Sequence, residues 1–200
     1  MKTRTLVALS PLMLASASFA AITGVSGQAT LLGTPPVACT SGSLNGFNAF
    51  AWDERTNITT TVRVDETQNP GGNLGAIGGP VTGTFNSHFI HYEGTPGVIN
   101  AIGTVTFDAP IFAAIFIGNT LDNSDPIFGS LGTTYPTGYP FRQLGNSIFT
   151  FTGNTLTFNL NTFVTTPNVA QIRVLTLVPA PAGGALLGLA GFAGLRRRRN

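Results

Sequence analysis

Few side chains in this chain are equipped for chemistry: two histidines, eight acids, one cysteine, one tryptophan and three tyrosines among 200 residues. His88 and His91 stand three apart, and in a strand that spacing sends them to opposite faces. They therefore do not grip one ion together, and zinc wants three or four convergent ligands; both read as hydrogen-bonded structural histidines. Asp122, Asn123 and Asp125 read, with Ser124 and Pro126, as an oxygen-rich loop. Such a loop suits Ca²⁺, which takes six to eight oxygens, while Asx turns account for the same residues without a metal. The spacing is not that of the twelve-residue loop with its closing Glu, so no metal ligand is assigned.

Asp53-Glu54 and Asp65-Glu66 are adjacent pairs on or beside strands, so the members of each pair diverge. A glycosidase dyad, with carboxyls ~5–10 Å apart, would have to be assembled across strands. No Gly-x-Ser-x-Gly elbow accompanies the serines. No catalytic residue and no cofactor is assigned. Trp52, Tyr92, Tyr135 and Tyr139 are able to stack on sugar rings, although a lone Trp among 15 Phe is as readily a core residue. The segment Tyr135-Pro136-Thr137-Gly138-Tyr139-Pro140 holds two aromatics in a turn and is the expected place for any ligand surface. Cys39 reads as a small buried side chain, and as the only cysteine it has no partner for an intrachain disulfide.

The elements that carry these residues have a hydrophobic period of two. Ile58, Thr60, Val62 and Val64 alternate with Thr59, Thr61, Arg63 and Asp65; Leu156, Phe158 and Leu160 alternate with Thr155, Thr157 and Asn159. These are strands with one buried face. Further strands are expected over Phe47–Trp52, Thr84–Tyr92, Ile102–Phe107, Ile111–Ile117, Ser147–Thr152 and Val169–Leu177. Ile111–Ile117 is apolar on both faces and is expected to be central. Turn chemistry separates them at 69–73, 77–80, 94–97 and Gly153-Asn154. No stretch between the two ends shows ten residues of helical periodicity, and no repeat recurs at a fixed period. The expected fold is all-β, an antiparallel β-sandwich of jelly-roll type.

Both ends have a different grammar. Lys2 and Arg4 precede an apolar run from Leu6 to Ala15, and Ser18-Phe19-Ala20 offers the small residues a signal peptidase reads, with cleavage after Ala20. At the other end Val178-Pro179-Ala180-Pro181 leads into an uncharged run from Ala182 to Leu195, then Arg196, Arg197, Arg198 and Arg199. Fourteen helical residues span roughly 21 Å, short of the ~30 Å hydrocarbon core. The charge-free run extends back to Val174, which completes a marginal span. Arginines on the cytoplasmic side orient it and leave the body outside. The expected organisation is a signal peptide over 1–20, a secreted domain over 21–176 and a sorting segment over 177–200.

Of the ten basic residues, only Arg55, Arg63, Arg142 and Arg173 belong to the body, which keeps all eight acids. Four arginines against eight acids leave −4. The whole-chain pI of about 9.1 therefore says nothing in favour of nucleic-acid binding.

The proline-bounded motif, short Gly/Ala/Leu helix and terminal arginines together resemble the PEP-CTERM sorting signal, in the variant whose position between the prolines is apolar, here Ala180. A glycosylphosphatidylinositol tail ends in apolar residues rather than arginines; Gly183-Gly184 is similar to the glycine-pair tails cut by rhomboid-type proteases, the nearest rival. The resemblance implies a Gram-negative cell, an exopolysaccharide system, and exosortase, a membrane protease-transpeptidase that removes the tail. It also implies an inner-membrane precursor, held by the C-terminal helix, that reaches the cell surface or extracellular matrix. Ser87-His88-Phe89-Ile90-His91-Tyr92, Gly103–Asp108, Leu121–Asp125 and Arg173-Val174-Leu175-Thr176 resemble a globular part that recurs in PEP-CTERM proteins, which implies a secreted β-domain with no assigned chemistry. Three functions follow as expectations: a non-catalytic envelope or matrix protein associated with exopolysaccharide, a carbohydrate-binding module, and a secreted hydrolase. The last requires at least two acids or histidines to converge in one cleft.

Overall fold

The computed structural model describes residues 21–67, 78–95, 100–163 and 168–178. Its strands are β1 (Ile22–Gly27), β2 (Ala29–Leu31), β3 (Ala49–Val64), β4 (Glu66–Thr67), β5 (Gly79–Tyr92), β6 (Asn100–Phe107), β7 (Ile111–Ile115), β8 (Ile148–Thr152), β9 (Thr155–Asn161) and β10 (Ala170–Leu177). One helix, α1 (Gly118–Phe128), lies between β7 and β8. Among the described residues the body is all-β apart from this helix. Every segment whose alternation predicts a strand overlaps one, and Phe47–Trp52 and Ile58–Val64 merge in β3. Gly153, at φ +60°, makes with Asn154 the expected two-residue turn between β8 and β9. The turn expected at 69–73 lies outside the described residues.

The strands form a four-stranded sheet, β1-β6-β9-β8, and a six-stranded sheet, β2-β3-β5-β10-β7-β4. Pairing is antiparallel except between β2 and β3, which corrects the expectation of a purely antiparallel fold. The loop over 32–48 carries the chain back before β3 begins, so β3 sets out in the direction of β2.

Alternation decides what each strand buries. Val105, Phe107, Phe149, Phe151, Leu156 and Phe158 of the four-stranded sheet meet Ala51, Ile90, Tyr92, Ile172 and Val174 of the six-stranded sheet in one core. The opposite face of the six-stranded sheet is also covered. There Trp52, Phe85, Phe89 and Leu175 pack against Leu121 and Phe128 of α1. Consequently 85–92 and 170–176 are buried at every position, and β5 and β10 are the central strands. β7 is interior too, but its outer neighbour is only the two-residue β4.

Helix α1 corrects the reading of Asp122–Asp125 as a loop. Its Thr, Asn, Asp and Ser residues are weak helix formers, so nothing local announces it. Tertiary contacts supply what the local sequence lacks. Asp65, from the corner after β3, accepts hydrogen bonds from the Phe116 and Ile117 amides at 2.7 and 2.8 Å and from Thr120 Oγ1 at 2.7 Å. It thus anchors the two residues that lead into the helix and the Thr120 side chain in its first turn. The two buried apolar side chains of α1, Leu121 and Phe128, stand seven apart, two helical turns.

The described residues belong to one compact unit, and none of their helices is long and apolar enough to cross a membrane. Ala20, Pro179, Ala180, Pro181 and Arg196–Arg199 lie outside the described residues; Val178 is the last one inside, its amide donating to the Thr84 carbonyl at 3.0 Å.

Candidate functional site

Burying both faces of β5 and β10 buries Ser87, His88, His91, Gln171, Arg173 and Thr176 with them, and buried polar groups need partners. On the α1 side those partners form one connected network. β10 points Gln171 and Arg173 toward α1, β3 supplies Glu54, α1 supplies Asp122, Ser124 and Asp125, and the segment after α1 supplies Tyr135 and Arg142.

Arg173 forks onto Glu54, Nε to Oε2 at 2.7 Å and Nη2 to Oε1 at 2.8 Å. It also donates to Asp125 Oδ1 at 3.1 Å, to the Leu121 carbonyl at 3.4 Å and to Ser124 Oγ. Glu54 accepts further bonds from Ser87 Oγ and Tyr135 Oη, both at 2.6 Å. Arg142 grips Asp122 and Asp125 through Nη1, at 2.6 Å each, and Asp125 again through Nη2 at 3.0 Å. Its Nε donates to Gln171 Oε1 at 2.8 Å.

Donor and acceptor roles then propagate without ambiguity. Arg142 only donates and the Cys39 carbonyl only accepts, so Gln171 presents Oε1 to the first and Nε2 to the second, at 3.0 Å. The same Nε2 donates to His91 Nδ1 at 2.8 Å, and His91 Nε2–H donates to the Leu44 carbonyl at 2.9 Å. His91 is therefore a neutral, single tautomer.

Two guanidiniums face three carboxylates, with side-chain exposures of 0% for both arginines and for Glu54, 7% for Asp125 and 22% for Asp122. Burial alone would lower the Arg173 pKa; Glu54 and then Asp125 outweigh it, and the pKa is raised. Burial, and next the Glu54 charge, raise that of Tyr135. Burial lowers His91 to about 4 and pushes the Cys39 thiol up to about 12. Such a network holds α1 on the sheet and fixes the segment that follows it.

The structure places the predicted residues as follows. Asp122 and Asp125 share one helix face, and the cation they hold is Arg142. Among the described residues no group of three His, Cys, Asp or Glu is arranged for a metal. His88 and His91 do lie on opposite faces. Asp53 and Glu54 diverge as expected, Asp53 to His88 Nδ1 at 2.6 Å and Glu54 to Arg173. Register shifts after Asp53 and Arg55, with Asn57 at φ +58°, bring Arg55 to the α1 side as well, where it donates to the Ile127 carbonyl at 2.9 Å.

Asp53, His88 and Thr176 form a chain in the order of a nucleophilic triad, with His88 Nε2 3.2 Å from Thr176 Oγ1. His88 and Thr176 are both 0% exposed, which closes that hydroxyl to a substrate. Trp52 and Tyr92 are core residues. Tyr135 is corrected as a sugar platform: its ring packs edge-on against Phe89 at 5.4 Å and its hydroxyl bonds Glu54 and the Ser130 amide.

Tyr139 keeps the expected position. It borders, with Ile117, Asn119, Asp122, Gln143 and Leu144, a cleft of about 570 Å³ at the start of α1, within the ~300–1,000 Å³ of small-molecule sites. Its ring is set edge-on to Phe141 at 5.7 Å, and Gly138 N donates to Asp122 Oδ2 at 2.9 Å. Amide, carboxylate and aromatic groups side by side suit a polyhydroxylated ligand. Sequence reasoning missed Arg142 and Gln171 as site residues; an Arg and a Gln interrupting apolar surroundings were the available signal. No family model, no curated protein and no solved structure matches this chain.

Proposed function

We propose that this chain is an exported, non-catalytic envelope or matrix protein, sorted by a PEP-CTERM-like tail, processed by exosortase and associated with exopolysaccharide. The observation that carries this reading is the agreement of the two ends on one topology: Lys2 and Arg4 before an apolar run with a cleavage site at Ala20, and Val178-Pro179-Ala180-Pro181 before an apolar run stopped by Arg196–Arg199. The body is consistent with service outside the cell, where rigidity matters. Its buried arginines are each bound to two carboxylates, and its single thiol is buried.

The body reads more finely as a jelly-roll-like sandwich. The chain changes sheets between β1 and β2, β5 and β6, β6 and β7, β7 and β8, and β9 and β10, the repeated wrapping that such folds use. A carbohydrate-binding module proper is the second reading, favoured by Tyr139 beside Asn119 and Gln143 in the cleft. A secreted hydrolase has less support, because Glu54, Asp65 and Asp125 are committed to internal hydrogen bonds.

The test is mass spectrometry of the protein from its native host. Peptides covering 186–199 should be missing, and a host without exosortase should retain them. An intact tail on the mature protein would leave a simple anchor instead.

A further inference from the structure

All eight acids and all four arginines of the body lie outside the four strands of one sheet. β1, β6, β8 and β9 contain no ionisable residue. Charge is sparse throughout, at 9% of the chain against the roughly 25–35% aimed for on designed surfaces, and this sheet carries none of it.

Register turns that face into rows. Ser26, Thr104, Thr157 and Thr150 stand opposite one another across all four strands. Thr106, Thr155 and Thr152 form the next row, and Ile102, Asn159 and Ile148 the row on the other side. Rows of this kind repeat at about 4.8 Å across strands and roughly 6.7 Å along them. Ser26 Oγ and Thr104 Oγ1 are 2.7 Å apart. Thr150, Thr152 and Thr157 are exposed. Ile102 and Ile148 are 51% and 55% exposed. They flank, with Thr150, Thr157 and Asn159, a depression of about 170 Å³. That is well below the ~300 Å³ at which pockets enclose a whole small ligand, and it suits one ring of a longer chain.

We propose that this outer face, centred on Ile102, Ile148, Thr150, Thr157 and Asn159, binds a neutral, hydroxyl-rich polysaccharide. The inference rests on the polymer association proposed above and gives it a place and a substrate class. A sugar ring presents C–H groups on its faces and hydroxyls at its rim, which match an apolar patch bordered by hydroxyl and amide groups. An anionic polymer or a nucleic acid finds no cation here and meets a body of net charge −4, four arginines against eight acids. A second copy stacked on this face would bury rows of hydroxyls against identical rows, with a desolvation cost wherever they failed to pair; the free hydroxyls of a glycan adjust to them.

The test uses the full chain in a non-sugar detergent, run through native gels containing dextran, laminarin, hydroxyethyl cellulose, galactomannan or alginate. Retardation is expected in at least one neutral gel, unchanged by added salt, because no charge pair is there to be screened. Thr150→Lys and Thr157→Lys, made singly because like charges on directly opposed residues destabilise a strand pair, should each weaken retention at least about tenfold, close to 1.4 kcal/mol, with an unchanged melting temperature. Tyr139→Ala should retain it.

No retardation in any neutral gel overturns the proposal, as do Lys variants that bind like the parent. So do salt-sensitive retention on alginate alone and loss of retention in Tyr139→Ala, which would move the contact to the cleft. Normal tail removal with no retention would discard this surface and leave the sorting reading standing; retention with an uncut tail would do the reverse.

Discussion

Arg173→Met removes the centre of the buried network while keeping an unbranched stem of similar reach. The arginine donates five hydrogen bonds, three to carboxylates and two to α1 groups, and its guanidinium lies 4.9 Å from the Phe89 ring centre and 5.4 Å from that of Tyr135. After substitution Asp125 keeps Arg142, but Glu54, 0% exposed, keeps only the Ser87 and Tyr135 hydroxyls. Removing one partner of a buried pair costs about 3–5 kcal/mol, a large share of the ~5–15 kcal/mol that a domain has. With a urea slope of about 1–3 kcal/mol/M, the unfolding midpoint should fall by roughly 1–5 M with the slope unchanged. Removing both charges, in Arg173→Met/Glu54→Leu, leaves no buried ion unpaired, so part of the loss should return despite the stranded hydroxyls. A single variant that loses less than about 1 kcal/mol, below the usual worth of a charged hydrogen bond, would refute the claim that Arg173 holds α1 to the sheet. A double variant less stable than the single would refute the electrostatic account.

His91 gives a pH dependence of known sign. Its folded pKa of about 4 lies below the ordinary 6.5, so in that window the unfolded chain binds a proton that the folded one refuses. The stability tied to neutral His91 is fully present above 6.5 and is lost as pH falls toward 4, by up to roughly 3 kcal/mol. Urea midpoints across the window should fall less steeply for His91→Gln, and parallel slopes would count against the assignment. Asp65→Ala should cost about 2 kcal/mol, since two amides and one hydroxyl lose a buried acceptor; hydrogen exchange should speed up first over 116–121, and uniform exchange would contradict the anchoring role. Cys39, with its thiol near pKa 12, should alkylate in the native protein only at the rate of unfolding; rapid labelling would show the thiol open.

The strands were legible because each writes its buried face into every second residue, as Leu156, Phe158 and Leu160 do. The same rule correctly separated His88 from His91 and Asp53 from Glu54. Tyr135 misled because Pro and Gly neighbours describe a turn but not what lies beneath its ring. Helix α1 was illegible for a related reason: its anchor comes from Asp65, more than 50 residues upstream, and its two aspartates look like loop residues until Arg142 is placed between them.

By itself, then, the order of residues determined the two-faced strands, the tight turn at Gly153-Asn154, the grammar of both ends and the absence of charge from four strands. Those are local properties, readable within a few positions of one another. Only the tertiary structure decided that the six-stranded sheet is covered on both sides, and hence that Arg173 must find Glu54, 119 positions away in the chain. The partner of a buried charge is chosen by whatever the fold brings within about 3 Å, and no spacing along the chain encodes that distance.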